Sequence, residues 1–562
     1  MMKKRVIAIG LDAADYRVME KWMDQGHLKN LSQLRSEGAY GHLTNTVTYC
    51  DQVRETSITE RLWANTWTGC TSNKTGYWGI EKFYPETYDM SLDIRGAYDF
   101  KEYPPFYGLM EDRRVILFDL LSASLYDKVN GLQVLGWGGH FPATDNCSSP
   151  PELLPEIIQK YGEHPVFYKD AGFWWDKEYE EWVEKGIKDA VATRSEIIRD
   201  LMKRQDWDLF LTTFGETHSA GHNFWYLSQS DHPLYDHFRS DNDPAKDPML
   251  ACYEAVDQAV GEILAEAPED AYVFVYAVHG IAANNTDLFS LVFLPELLYR
   301  FSFPGKVALA PGKSGDAPPP IITDASLPWP VEILKTTTMA NPTLMQRLVK
   351  KLVPGLFSRL WPEPQLTDMS KLEGSSANLN WMPGMWYRSA WPQMKAFALP
   401  AFSDGHIRIN LEGREKDGIV KHSEYDALCE EITQFLYRVK DARTGEPIVD
   451  EVVRTRRSPA DNDPKLPDSD LVVLWKPGIS DVVDSPDCGR IGPVVYDRTG
   501  GHYLSRGFLM AKGPGITPGS SIPDGQAVDI APTIMKLMDV EIPSHFDGKP
   551  ISLVKAESYI GV

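Results

Sequence analysis

The chain of 562 residues has six cysteines, and no two of them are spaced as C-x-x-C. Cys50, Cys70, Cys147, Cys252, Cys429 and Cys488 outline neither a zinc ribbon nor a disulfide framework, and read as thiols of a reducing compartment. Long apolar runs are missing too: none approaches the roughly 18 residues that a membrane span requires. The opening, MMKKRVIAIGLDAADY, stays apolar for about six residues before Asp12, too short for a secretory h-region, and reads as a buried first strand. A cytoplasmic location is the expectation. Basic residues are scarce, 57 Lys and Arg against 79 Asp and Glu, for a net charge of −22. A surface that acidic repels a phosphate backbone and excludes nucleic-acid binding as the main task. A small anionic substrate stays compatible with it, because a metal ion or an Arg reverses the field inside one pocket.

What is present is an ordinary globular composition, 43% hydrophobic and 24% charged, without an internal repeat. Short apolar runs, RVIAIGL, RVILFDL from Arg114, WDLFLTTF from Trp207, YVFVYAV from Tyr272 and DLVVLW from Asp470, predict buried parallel strands. Helical patterns lie between them, among them EYEEWVEKGIKDAVATRSEIIRDLMKR and MLACYEAVDQAVGEILAEA. The alternation predicts an α/β fold, a doubly wound, mostly parallel sheet sandwiched by helices, with sites at the carboxyl ends of strands. The pattern lapses over 299–394, which reads as an inserted cap between core segments 1–298 and 395–562. Within it, TLMQRLVKKLVPGLFSRLW sets Arg347, Lys350, Lys351 and Arg359 beside apolar residues. A helix packed on its own core is the expected reading there, ahead of a membrane-surface helix. For Trp381, Trp386, Tyr387 and Trp391, packing is likewise expected ahead of a stacking pocket.

The strand ends carry the chemistry. Asp12 follows the first strand, as a turn or cap residue or as a ligand. Past WDLFLTTF come Glu216, His218 and His222; histidines four apart share a helix face and can share a metal. His279 closes YVFVYAV, and His502 follows two glycines. Thr59 opens the helical stretch TERLWANTWTG, as an N-cap or as a hydroxyl beside N–H groups that bind a tetrahedral anion.

Taken in order, these segments resemble the alkaline phosphatase superfamily, and within it the type I phosphodiesterase/nucleotide pyrophosphatase branch, over about residues 5–295 and 395–552. VIAIGLDAADY resembles the first strand with its metal-binding Asp, here Asp12. TERLWANTWTG resembles the nucleophile segment, which singles out Thr59 over Thr66 and Thr68. THSAGH resembles the D-x-x-G-H ligand pair, with His218 in the Asp position and His222 as the His. AVHGI resembles S-D-H-G-M and GGHYLSRGFLMAKGPGI the last ligand segment, giving His279 and His502, and VDIAPTIMKLMDVEIPSHFDGKPI resembles the C-terminal signature.

The resemblance implies two divalent metal ions, usually zinc, one on His218, His222 and His502, the other on Asp12, Thr59 and His279. It further implies hydrolysis of a phosphate ester through a phospho-threonine on Thr59, with net retention at phosphorus. Two departures stand against the pattern: Val278 replaces a ligand Asp, and His218 replaces another. One firm metal site and one weakened site follow, with Glu216, Asn284 or Asn285 as compensating ligands and a single ion as the alternative to two. Arg61, Asn65, Arg408 and Arg414 are the candidates for holding the anionic substrate. The alternatives are a phosphoryl or sulfuryl transferase or sulfatase-like enzyme on a small metabolite, although the T-E-R segment lacks the C/S-x-P-x-R of sulfatases. A binding protein on a degenerate phosphatase fold is the other.

Overall fold

The computed structural model describes residues 4–92, 98–138, 145–166, 169, 172–239, 246–284, 286–310, 312–337, 344–355 and 379–553. Its centre is a nine-stranded sheet. In chain order the strands are β1 (Val6–Leu11), β2 (Ala39–Thr44), β3 (Val115–Phe118), β4 (Gly131–Leu135), β5 (Cys147–Ser149), β6 (Leu209–Phe214), β7 (Tyr272–Ala277), and, after a strand β8 (Gly280–Ala283) outside the sheet, two further members near the C-terminus. A second, four-stranded sheet contains β9 (Ala396–Leu399), β10 (Gly405–Ile409), β11 (Val449–Arg454) and β12 (Leu471–Trp475). The strand β13 (Gly500–Leu504) pairs with β8, and β14 (Arg506–Lys512) and β15 (Ser520–Ser521) complete the large sheet in the order β15-β2-β14-β7-β1-β6-β3-β4-β5.

The five central strands β7, β1, β6, β3 and β4 run parallel, while β14 is antiparallel to both its neighbours. In β1, β3, β6 and β7 every residue is buried, as expected of parallel strands covered on both faces. Helices supply the cover: α1 (Thr59–Thr68), α2 (Lys177–Arg204), α3 (Glu216–Ser228) and α4 (Pro248–Glu266). Asp176 caps α2 through the Tyr179 N–H, and Asp247 caps α4 through the Leu250 N–H.

Two expectations are corrected. The run DLVVLW forms β12, which is antiparallel to β10 and β11 and lies outside the large sheet. A continuous apolar run marks a strand buried on both faces without naming the sheet that buries it. The basic segment forms α5 (Leu344–Leu352), yet it is not packed on a core, for Leu344 is 79% exposed and Leu352 70%. Arg359 lies outside the described residues. Trp386, Tyr387 and Trp391 are buried, with Trp391 stacked on Phe397 at 4.6 Å between centroids, and Trp381 packs on the same core. All six cysteines are free, and Cys50, Cys147 and Cys488 are half-buried. Among the described residues no helix is long and apolar enough to cross a membrane.

Candidate metal centre and nucleophile

Register brings the strand ends together. Leu11 of β1 pairs with Phe214 of β6, and the Asp12 N–H donates to the Phe214 carbonyl at 2.9 Å. Asp12 therefore sits beside the start of α3, where Thr217 Oγ1 donates to its carbonyl at 2.6 Å. The ribbon of β8 and β13, which follows directly on β7, brings His502 in over the same end. Asp12, Thr59, His218, His222, His279 and His502 are all buried.

Three imidazoles converge. His218 Nε2 lies 2.7 Å from His502 Nε2, and His222 Nε2 lies 3.2 Å from the same atom. The far nitrogen of each ring is committed. His218 Nδ1 bonds Asp12 Oδ2 and His222 Nδ1 bonds the Gly500 carbonyl, both at 2.6 Å. A carboxylate and a carbonyl only accept, so both Nδ1 atoms carry their protons, and both Nε2 lone pairs point at one spot. Ligating histidines are held this way by carboxylates and carbonyls behind them. The chemistry of the donor set thus fits a metal ion, and among the described residues these three histidines bring their ligand atoms within 4.8 Å of one another.

The residues assigned by resemblance to a second ion are arranged differently. Asp12 accepts from Trp63 Nε1 at 2.8 Å on Oδ1 and from His218 on Oδ2. Burial pushes its carboxyl up, but His218 and His279 outweigh this and hold it far below the usual carboxylate range. His279 Nε2 lies 3.5 Å from Asp12 Oδ1 and 2.9 Å from Thr59 Oγ1, which is itself 2.7 Å from His502 Nδ1. Val278, in the Asp position, is buried among apolar residues. Thr59 is the first residue of α1 rather than its cap: Ile58 holds the cap position and the hydroxyl makes no cap bond. Its Oγ1 faces the two histidines instead.

The other candidates have different partners. Glu216 turns to Arg194, whose Nε donates at 2.8 Å, and to His164 Nε2 at 3.2 Å. Burial raises its carboxyl, yet Arg194 and His164 bring it down to about 2. Arg61 donates to the Trp78 carbonyl, Tyr49 Oη and Thr56 Oγ1. With its amide turned, Asn65 donates to the carbonyls of Arg61 and Cys70 at the end of α1. Arg408 is paired with Glu415, and Arg414 with Asp470 and Glu415, inside the four-stranded sheet region. Asn284 bonds Asp287, Asp497 and the Arg498 carbonyl, and Asn285 lies outside the described residues.

One residue at the cluster escaped sequence reasoning. Arg498 Nη1 donates to His222 Nε2 at 2.8 Å, its Nε is tied to Asp287, and its guanidinium lies 4.9 Å from the Phe402 ring centroid. Its position four residues before His502, just ahead of the ligand segment, was the available signal.

The family model for type I phosphodiesterase/nucleotide pyrophosphatase matches residues 6–308. No curated protein matches the chain. Among solved structures, phosphonoacetate hydrolase from Sinorhizobium meliloti 1021, in complex with phosphonoformate, is similar at 13% identity, covering 96% of this chain and 95% of that one, with a TM-score of 0.45. Human ectonucleotide pyrophosphatase/phosphodiesterase 5 is similar at 10% identity, covering 97% of each chain, with a TM-score of 0.45.

Proposed function

The chain belongs to the type I phosphodiesterase/nucleotide pyrophosphatase family and is an enzyme of the phosphoester-hydrolysing type; from that premise we propose that it cleaves a small-molecule phosphate ester with Thr59 as nucleophile. The observation that carries this reading is the placement of Thr59 Oγ1 at hydrogen-bond distance from His279 Nε2 and His502 Nδ1, beside the three-histidine cluster. His218, His222 and His502 would hold one divalent ion, zinc by its taste for imidazole, which when bound supplies positive charge to a phosphoryl oxygen. The single-ion form is favoured because Val278, buried among apolar side chains, offers no donor atom where a second ion would need a carboxylate.

His279 then works as a base. Its Nδ1 faces the Gly280 carbonyl at 3.3 Å, which leaves the Nε2 lone pair toward the Thr59 hydroxyl. The proton moves from Oγ1 to Nε2, where Asp12 Oδ1 stabilises the imidazolium. Oγ1 bonds to phosphorus and the ester oxygen departs on the opposite side with its electron pair, taking a proton from water there, while the imidazolium keeps the Thr59 proton to return it to Oγ1 when that oxygen leaves. Water then cleaves the phospho-threonine by the reverse path. Two in-line inversions give net retention. In this scheme the His222 Nε2 lone pair goes to the ion, and Arg498, fixed by Asp287 and Phe402, turns its Nη1 from His222 to a non-bridging phosphoryl oxygen.

The test combines elemental analysis with turnover of bis(4-nitrophenyl) phosphate. Wild type should carry transition metal and hydrolyse the ester, and Thr59→Ala should lose about 10³-fold or more in kcat while keeping its metal. Full activity in Thr59→Ala, or no metal after reconstitution with zinc, overturns the reading.

A further inference from the structure

The helix α5 turns its apolar side outward. Met345 is 65% exposed, Leu348 49% and Val353, just past the helix, 49%, in line with Leu344 and Leu352. At 3.6 residues per turn, Leu344, Met345, Leu348 and Leu352 share one side, and Arg347, Lys350 and Lys351 share the other. The remaining exposed large hydrophobics among the described residues, Val53, Tyr84, Trp182, Ile419 and Tyr437, are scattered over other elements, which is ordinary for a surface. A continuous aliphatic row on one helix is not ordinary, and calls for an occupant.

Charge identifies it. Between Glu332 and Glu363 the chain has no acidic residue, while Lys335, Arg347, Lys350, Lys351 and Arg359 fall there, in a protein whose net charge is −22. On a chain this acidic, α5 combines an exposed apolar side with basic residues. We propose that α5 docks this protein on the surface of an anionic phospholipid bilayer. The aliphatic row enters the acyl boundary, and Arg347, Lys350 and Lys351 reach the headgroup phosphates. A bilayer suits this face better than a protein groove does. The row is made of Leu and Met and offers no aromatic or polar group to fix a register, and a bilayer asks only for apolar area with positive charge beside it. A helix this short binds weakly and reversibly, so attachment falls as salt rises. Nothing in this depends on the chemistry proposed for the histidine cluster.

Co-sedimentation of the full chain with phosphatidylcholine–phosphatidylserine vesicles, against phosphatidylcholine alone, tests it. Wild type should bind the anionic vesicles and lose them in high salt. Lys350→Glu/Lys351→Glu should weaken binding about tenfold or more, since each basic residue near such a surface contributes roughly fivefold. Leu348→Glu/Leu352→Glu should do the same through lost apolar burial, with a Leu352→Ser single change as a milder companion, and all should melt like wild type because these side chains are exposed. Reversing the exposed Lys421 and Lys440 should leave binding within about twofold. Absent binding, or binding that survives both α5 double variants, overturns the proposal. So does a dimer in analytical ultracentrifugation that Leu348→Glu/Leu352→Glu dissociates without any vesicle binding, which assigns the row to a second copy.

Discussion

Asp12 acts on the histidine cluster through a hydrogen bond that orients one of its rings. Its Oδ2 accepts the Nδ1 proton of His218, which fixes the tautomer that leaves Nε2 bare. Asp12→Asn keeps the shape and loses the charge, so it should weaken zinc affinity about 10–100-fold, measured by competition with a chromophoric chelator. Wild-type affinity in the variant would mean that His218 is oriented by packing alone. Arg498 gives a second test. Arg498→Gln should raise the inhibition constant of inorganic phosphate about tenfold, as expected for a lost charged contact, while zinc stays bound. An unchanged constant would leave Arg498 as a strut between Asp287 and His222. These two residues also mark what the sequence could disclose. Thr59, His218 and His279 were visible because each stands at a strand end or near a helix start, and His222 because it follows His218 by one helical turn. Arg498 was not, since its contact with His222 spans 276 positions and an Arg before a ligand segment reads as ordinary surface.

The elements that carry the histidines approach closely, and glycine permits it. A Cβ on Gly500 of β13 would come within 2.3 Å of the Gly221 carbonyl of α3, and one on Gly221 within 2.8 Å of Ile281 Cγ2 of β8. Thr499, just before β13, donates its N–H and hydroxyl to the His222 carbonyl at 3.0 and 2.9 Å, tying helix to ribbon. Gly500→Ala should push His502 away from His218 and His222, costing about 1–3 kcal/mol of stability and weakening zinc binding with it. Loss of stability with zinc affinity intact would show that the ribbon tolerates the shift. The parallel strands were legible because burial on both faces writes an unbroken apolar run. The β12 assignment failed because pairing partners are not written in such a run, and the packing of α5 was misjudged because amphipathicity states that a face must be covered without stating by what.

A single buried cation ties the molecule together behind the site. Arg194 of α2 donates from Nε to Glu216 at the start of α3, and its Nη1 is 2.8 Å from Asp119 at the end of β3. Burial pushes the Asp119 carboxyl up in spite of Arg194, while Arg194 and His164 hold the Glu216 carboxyl down. The Glu216 carboxyl falls from its ordinary 4.5 to about 2, a difference worth roughly 3 kcal/mol. A carboxyl lowered in the folded state lends that stability above its unfolded value, and it is lost as pH falls from about 4.5 toward about 2. Glu216→Gln removes one of the two carboxylates that face the buried Arg194, and should cost about 3–5 kcal/mol at neutral pH. The gap between wild type and variant should then close on acidification through that window, because only wild type has this carboxylate to protonate. Urea midpoints of both proteins from pH 7 down to about 3 measure it. A gap that stays constant across that range would mean that Glu216 holds α3 by shape and hydrogen bonding, and that the charge of Arg194 is balanced elsewhere.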